Sequence, residues 1–230
     1  MPVHARLYVT SVIALGLAIL IAGLNQWQCT NLSEYLSYLG LAVIASTRKV
    51  QLPGITGTYS LNFLFILLGI ISLSFAETLT IGCVSAIVQF LWNAKVRPRL
   101  IQVLFNAGNI VFCIGVSYFT AHLVVEQPES YGTLIILVFA SSLFFVSNTL
   151  LVSGVLSMVD RQPLHKVWSK WLLWSFPYYL TGTVIVGLMS VGNQLLGWKL
   201  SLLCLPLMCL ASLSYQLYMD HTSLAAHPGV

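Results

Sequence analysis

Near its N-terminus the chain reads LYVTSVIALGLAILIAGL from Leu7 to Leu24, 18 residues without a charged side chain. A helix that crosses the hydrocarbon core of a bilayer needs about 20 such residues. The stretch is longer than the ~7–15 apolar residues of a signal peptide, and no small-x-small cleavage pattern follows it. It therefore predicts a retained transmembrane helix.

The composition extends this interpretation to the whole chain. Of the 230 residues, 58% are hydrophobic and only 7% are charged, with a mean hydropathy of +0.89. A soluble domain carries roughly 25% charged residues, so the solvent for most of this surface is expected to be lipid. The net charge of +4 is small and scattered, which argues against a nucleic-acid partner. We expect one membrane domain over residues 1–218 and a short cytoplasmic tail or linker over 219–230.

Seven further apolar segments follow the first. With it they predict an all-α bundle of about eight transmembrane helices, although the second and fourth are short for a crossing. The seven are Tyr35–Ser46, Tyr59–Phe75, Leu79–Trp92, Leu100–Val125, Tyr131–Val159, Trp168–Ser190 and Leu200–Tyr218.

Basic residues orient these segments, because Lys and Arg favour cytoplasmic loops. With both termini in the cytoplasm, only Lys199 falls in an outer loop. Omitting the second segment would move most of the basic residues outside, so the charge pattern favours eight crossings. The nine inner basic residues are Arg6, Arg48, Lys49, Lys95, Arg97, Arg99, Arg161, Lys166 and Lys170.

Neutral polar residues recur along the predicted helices at helical spacing. Gln102, Asn106, Asn109 and Cys113 follow at i, i+4, i+7 and i+11 on one face. Amides in hydrocarbon need partners, so such faces are expected to meet inside the bundle. They form either a hydrogen-bonded layer that fixes packing or a ligand-binding or relay layer near the cytoplasmic face. The candidate amides are Asn62, Gln89, Gln102, Asn106, Asn109 and Asn148.

Two further patterns concern helix shape and helix contact. Pro177 in the seventh segment predicts a kink, and with Tyr178 and Tyr179 it is a candidate hinge or pocket wall. In the first segment Ala14, Ala18 and Ala22 form a small-xxx-small stripe that favours close helix–helix contact.

Catalytic and metal-binding motifs are missing from the sequence. It has no G-x-S-x-G, no H-E-x-x-H and no C-x-x-C, and its five histidines are scattered. We therefore expect no enzyme activity, no metal site and no cofactor.

Several stretches together resemble a known family. They are Leu52-Pro-Gly-Ile-Thr-Gly-Thr-Tyr-Ser-Leu-Asn-Phe63, Phe105-Asn-Ala-Gly-Asn109, Ser147-Asn-Thr149 and Trp174-Ser-Phe-Pro-Tyr-Tyr179. This arrangement resembles the N-terminal membrane regions of bacterial signalling proteins that end in a cytoplasmic HD-GYP phosphodiesterase or GGDEF cyclase domain. The resemblance implies a multi-pass sensor in the bacterial inner membrane that regulates an output domain in cyclic-dinucleotide signalling. No output domain is present up to Val230, so we expect the sensor part of a longer product or a free-standing relative.

A weaker likeness covers the central part of the chain. From Ser60 through Val125 the sequence looks somewhat like the vitamin-binding S-components of energy-coupling-factor transporters, and the alanine stripe suits the partner-docking helix of that family. The alternative function is therefore the substrate-binding membrane component of a multi-subunit transporter. A scaffold without a ligand, in which the amide layer is only structural, is a third alternative.

Overall fold

The computed structural model describes residues 2–29, 31–51, 58–94, 98–124 and 130–203. The prediction of an α-helical bundle is confirmed within these ranges. A two-stranded antiparallel hairpin, which the sequence did not predict, joins the second and third helices. The elements are α1 Val3–Leu24, α2 Leu32–Thr47, β1 Lys49–Gln51, β2 Thr58–Ser60, α3 Asn62–Ser72, α4 Phe75–Leu91, α5 Leu100–Val124, α6 Ser130–Asp160, α7 Leu164–Leu196 and a 3₁₀ helix Trp198–Leu203.

Four stretches in the described part of the chain are helical, long and apolar enough to cross a membrane. They are Val3–Leu24, Leu100–Val124, Gly132–Asp160 and Ser175–Leu196. These helices indicate a membrane protein. Two shorter apolar helices, Asn62–Ser72 and Phe75–Leu91, accompany them. Most of the predicted eighth segment, residues 204–218, and the tail 219–230 lie outside the described residues.

The third predicted segment, Tyr59–Phe75, is too long, because the helix inside it covers only Asn62–Ser72. Leu73 is extended, and Ser74 starts α4 with a capping box in which Ser74 and Glu77 each bond the other's backbone. The pattern Ser74-x-x-Glu77 is the sequence signature of such a helix start. With 11 residues, α3 is about 16 Å long, roughly half the thickness of a hydrocarbon core.

Helix α3 occupies the centre of the bundle. Nine consecutive residues, 62–70, are buried, and α3 packs against α2, α4, α6 and α7. A helix that is apolar on all sides is stable only when other helices surround it. The short α3 is therefore the core around which the longer helices are arranged.

The contact between α1 and α5 corrects the prediction made from the alanine stripe. Ala14, Ala18 and Ala22 are exposed, so as a contact within the described chain that prediction is wrong. Gly16 packs against α5 instead, where a Cβ on Gly16 would lie 2.4 Å from Cα of Gly108. Glycine permits this close approach because even the alanine methyl group would collide with the facing backbone. Docking of the alanine stripe to another protein stays a prediction.

The two ends of the bundle differ in charge: most of the described Lys and Arg residues lie at one end, together with Asp160, and Glu34 and Glu77 lie at the other end, together with Lys199. The Nζ of Lys49, just after α2, donates to the carbonyl of Trp92 at the end of α4, and Tyr8 near the start of α1 donates to Leu151 near the end of α6. These contacts define what we call the basic end, which carries Arg6, Lys49, Arg99, Arg161 and Lys166.

The opposite end, which we call the acidic end, carries Glu34 and Glu77. There the Tyr35 and Thr80 hydroxyls share a hydrogen bond of 3.0 Å that joins the starts of α2 and α4. Both glutamates lie in the first turns of their helices, Glu34 in α2 and Glu77 in α4. The Glu77 carboxylate is buried, and its Oε1 accepts no hydrogen bond from the residues that the structure describes.

Candidate functional site

A cavity of about 1130 Å³ lies between α3, α4, α5, α6 and α7 and reaches the basic end. Ordinary small-molecule sites measure roughly 300–1,000 Å³, so this cavity has room for a sizeable ligand. Ile66 and Ile110 line it inside the bundle, while the half-buried Lys49 and the exposed Arg99 line it at the end of the bundle. We call the region around Lys49 and Arg99 the mouth.

Seven of the nine candidate site residues line this cavity, and two do not. Asn109 is buried and contacts the lining residue Asn148. Pro177 is exposed and lies outside the wall, inside an α7 that continues on both sides of it. The seven lining residues are Asn62, Gln89, Gln102, Asn106, Asn148, Tyr178 and Tyr179.

One chain of hydrogen bonds connects α3 to its neighbours along the wall. The Ser60 hydroxyl donates to Asn62 Oδ1 at 2.8 Å, and Asn62 Nδ2 donates to Ser85 Oγ at 3.2 Å and to Gln89 Oε1 at 3.4 Å. The Tyr178 hydroxyl on α7 donates to the Ser60 carbonyl. Asn62 is therefore the point at which α3, α4 and the hairpin are joined.

A second chain runs across α5, α6 and α7. The thiol of Cys113 donates to Asn109 Oδ1 at 3.6 Å, and Asn109 Nδ2 donates to Asn148 Oδ1 at 2.5 Å. Asn148 Nδ2 in turn donates to the Tyr179 hydroxyl at 2.7 Å. A change in the orientation of Asn148 on α6 would therefore alter its hydrogen bonds to α5 and to α7.

Aromatic rings fill the space behind these amides. Phe63 of α3 packs edge-on against Tyr179 with ring centroids 4.5 Å apart, and against Phe144 at 5.2 Å. Edge-to-face pairs of this kind stabilise a core beyond the area they bury. They fix the deep wall of the cavity, and with it the Tyr179 hydroxyl that meets Asn148.

Two amides on α5 behave differently from the others. Gln102 Oε1 accepts the backbone N–H of Arg99 at 2.9 Å and so caps the start of α5. Asn106, one turn further along the same face, lines the cavity and makes no hydrogen bond within the described part of the chain. Its amide is thus available to a ligand.

The mouth contains two cationic residues, Lys49 and Arg99, which the sequence analysis identified only by their effect on topology. The Lys49 Nζ lies 2.5 Å from the carbonyl oxygen of Trp92, and partial burial lowers the pKa of Lys49 from its ordinary value. Arg99 directly precedes α5. In the sequence, Arg99 stands three residues before Gln102, the first residue of the polar face of α5. This short separation is the signal that could have placed a cation at the site.

A second, smaller cavity of about 310 Å³ lies at the acidic end, where Glu34, Ser72, Asn193 and Trp198 line it. Its walls come partly from the same helices, α3, α6 and α7, as those of the first cavity. No group of three or more His, Cys, Asp or Glu side chains that could hold a metal ion occurs within the described ranges. The chain matches no family model, no curated protein and no solved structure.

Proposed function

We propose that the chain is a multi-pass protein of the bacterial inner membrane, with eight crossings and both termini in the cytoplasm. The concentration of the described Lys and Arg residues at one end of the bundle, with Lys199 at the other, supports this orientation. The short α3 would complete its crossing without a full-length helix, since its Asn62 end and the preceding Ser60 line the cavity. Non-helical backbone at membrane depth is tolerated where it lines such a cavity.

The function that the site supports best is that of a sensor or signal-input module for a cytoplasmic output domain or partner. The observation that carries this proposal is Asn106, an amide without a hydrogen-bond partner among the described residues, in a cavity whose wall is hydrogen-bonded across α5, α6 and α7. A ligand bound there would contact several helices at once and favour one arrangement of them over another. A sensor requires such a difference in affinity between two states. The resemblance to HD-GYP and GGDEF proteins suggests cyclic-dinucleotide signalling as the output.

The proposal is tested by joining Val230 to a diguanylate cyclase domain that lacks its own input and measuring cyclic di-GMP in cells. Asn106→Ala is expected to change the cyclic di-GMP level several-fold at equal membrane abundance. Gln26→Ala, an exposed amide outside the cavity, is the matched control and should leave the level unchanged. Equal output from the wild type and both variants would reject the sensor function.

The alternative is the substrate-binding component of a multi-subunit transporter for vitamin-type small molecules. The second cavity favours it, because two cavities at opposite ends of α3, α6 and α7 are what a substrate path through the bundle needs. This alternative predicts a tightly held small molecule and a copurifying ATPase complex after mild-detergent purification. Absence of both would exclude it.

A further inference from the structure

The charges on the cavity wall are all of one sign. Among the described residues that line the cavity, Lys49 and Arg99 are cationic and no Asp or Glu occurs. Both cations lie at the mouth, whereas the depth is lined by Phe63, Ile66, Ile110 and other apolar residues. We infer that the cavity takes an amphipathic anion, with its acidic head group at the mouth and its apolar chain between the helices. This inference rests on the proposed ligand-binding role of the cavity.

The local backbone at the mouth suits an anion beside Arg99. Lys49 donates to the carbonyl of Trp92, the C-cap of α4, so it occupies the electronegative end of that helix. Arg99 precedes the first turn of α5, where the free N–H groups of a helix favour a negative charge. The two cations and the start of α5 therefore present positive potential to the mouth, while Lys49 screens the end of α4.

The depth of the cavity suits a hydrocarbon chain. Inside the bundle it is lined on α5 by Phe105 and Ile110 and on α6 by Val152 and Val155. Along this wall the free amide of Asn106 is the group that would orient a polar atom of the ligand. A ligand without an apolar portion would leave most of this apolar surface in contact with water, which is unfavourable.

An amphipathic anion could reach the cavity from two sources. An anionic lipid could enter from the bilayer, and a soluble acyl or isoprenyl phosphate could enter from the cytoplasm. Both present a phosphate head and an apolar chain, and a probe with those two parts tests the shared chemistry.

The test uses the full chain in phosphatidylcholine nanodiscs and measures equilibrium binding, with the signal of empty nanodiscs subtracted. The probes are dodecyl phosphate, inorganic phosphate, which lacks the chain, and dodecyltrimethylammonium, which has the opposite charge. Dodecyl phosphate should bind saturably and at least tenfold more tightly than either of the others. Equal binding of the cationic probe, or of inorganic phosphate, would overturn the inference.

Charge variants then locate the head group. The double variant Lys49→Gln with Arg99→Gln should weaken dodecyl phosphate binding about tenfold, since exposed charge pairs contribute up to about fivefold each. Lys166→Gln with Lys170→Gln removes the same charge from exposed positions outside the cavity wall and should change binding less than twofold. Lys49→Arg keeps the charge and should bind as the wild type does. Equal loss in both double variants would show only a general surface potential and would reject the site.

A final arm replaces one fifth of the phosphatidylcholine with phosphatidylglycerol. Weaker dodecyl phosphate binding would support the inference with a bilayer lipid as the source, and unchanged binding would support it with a soluble amphiphile.

The results distinguish a failure of the inferred ligand class from a failure of the sensor function. If no probe binds while Asn106→Ala still changes cyclic di-GMP output, the ligand class is wrong and the sensor function stands. If dodecyl phosphate binds through Lys49 and Arg99 while output is unaffected, the sensor function is wrong.

Discussion

At the acidic end, the side-chain amide of Asn193 bonds both to Tyr38 and to Ser201, whereas at the basic end the amide of Asn106 lines the cavity and bonds to none of the described residues. The Asn193 Nδ2 lies 2.7 Å from Ser201 Oγ, whose hydroxyl returns a bond of 3.1 Å to Asn193 Oδ1. The same residue type thus completes a hydrogen-bonded cluster at one end, and at the other end its hydrogen-bonding groups face the cavity. We expect the presence of a partner, more than depth in the bundle, to distinguish an amide that stabilises packing from one that binds a ligand.

The largest effect should come from breaking the acidic-end cluster with Asn193→Ala. The change removes the bonds that the buried Tyr38 and Ser201 hydroxyls make to this amide, and loss of such partners costs about 1–3 kcal/mol. We expect the free energy of unfolding in detergent to fall by that amount. Gln194→Ala, an exposed neighbouring amide, is the control. Equal stability of the two variants would remove the distinction between the ends.

A smaller loss is expected from Asn148→Ala, which removes the link between Asn109 and Tyr179. Interhelical hydrogen bonds in membrane proteins contribute about 0.6 kcal/mol on average, so two of them should amount to about 1 kcal/mol. A double-mutant cycle with Tyr179→Phe isolates one of the two bonds. A coupling energy of zero in that cycle would show that the Asn148–Tyr179 contact does not stabilise the fold.

Much of this bundle was predictable from the sequence because its causes are local. Apolar length predicts the long helices, and helical spacing brought Gln102 and Asn106 to one wall. The end of α3 was predictable too, since Ser74 and Glu77 form a capping box that can be read in the sequence. These features depend on residues a few positions apart.

Features that depend on distant segments were not predictable in the same way. Whether α1 presents Gly16 or Ala18 to a neighbour depends on where Gly108 lies across the interface. Likewise Lys49 becomes part of the cavity only because the hairpin places it over the end of α4. Sequence periodicity identifies a face of a helix, but tertiary packing decides what covers that face.

Lys49 at the mouth should make the free energy of unfolding depend weakly on pH. Partial burial lowers the pKa of Lys49, so the folded chain binds that proton less tightly than the unfolded chain does. Stability rises with pH wherever the unfolded state binds more protons than the folded state. We expect a small gain in unfolding free energy as pH rises through the lowered pKa toward the ordinary lysine value of about 10.4. Lys49→Gln should abolish this gain, and an unchanged slope in the variant would assign it to another group.

The smallest expected change in stability is that of Asn106→Ala, and it is the most decisive for the comparison. Because Asn106 has no hydrogen bond within the described chain, its removal breaks none, and the free energy of unfolding should stay within about 0.5 kcal/mol of the wild type. A loss as large as that of Asn193→Ala would mean that Asn106 stabilises the fold as a packing amide does. An unchanged stability, combined with altered probe binding or altered cyclic di-GMP output, would show that this open amide is retained for a ligand.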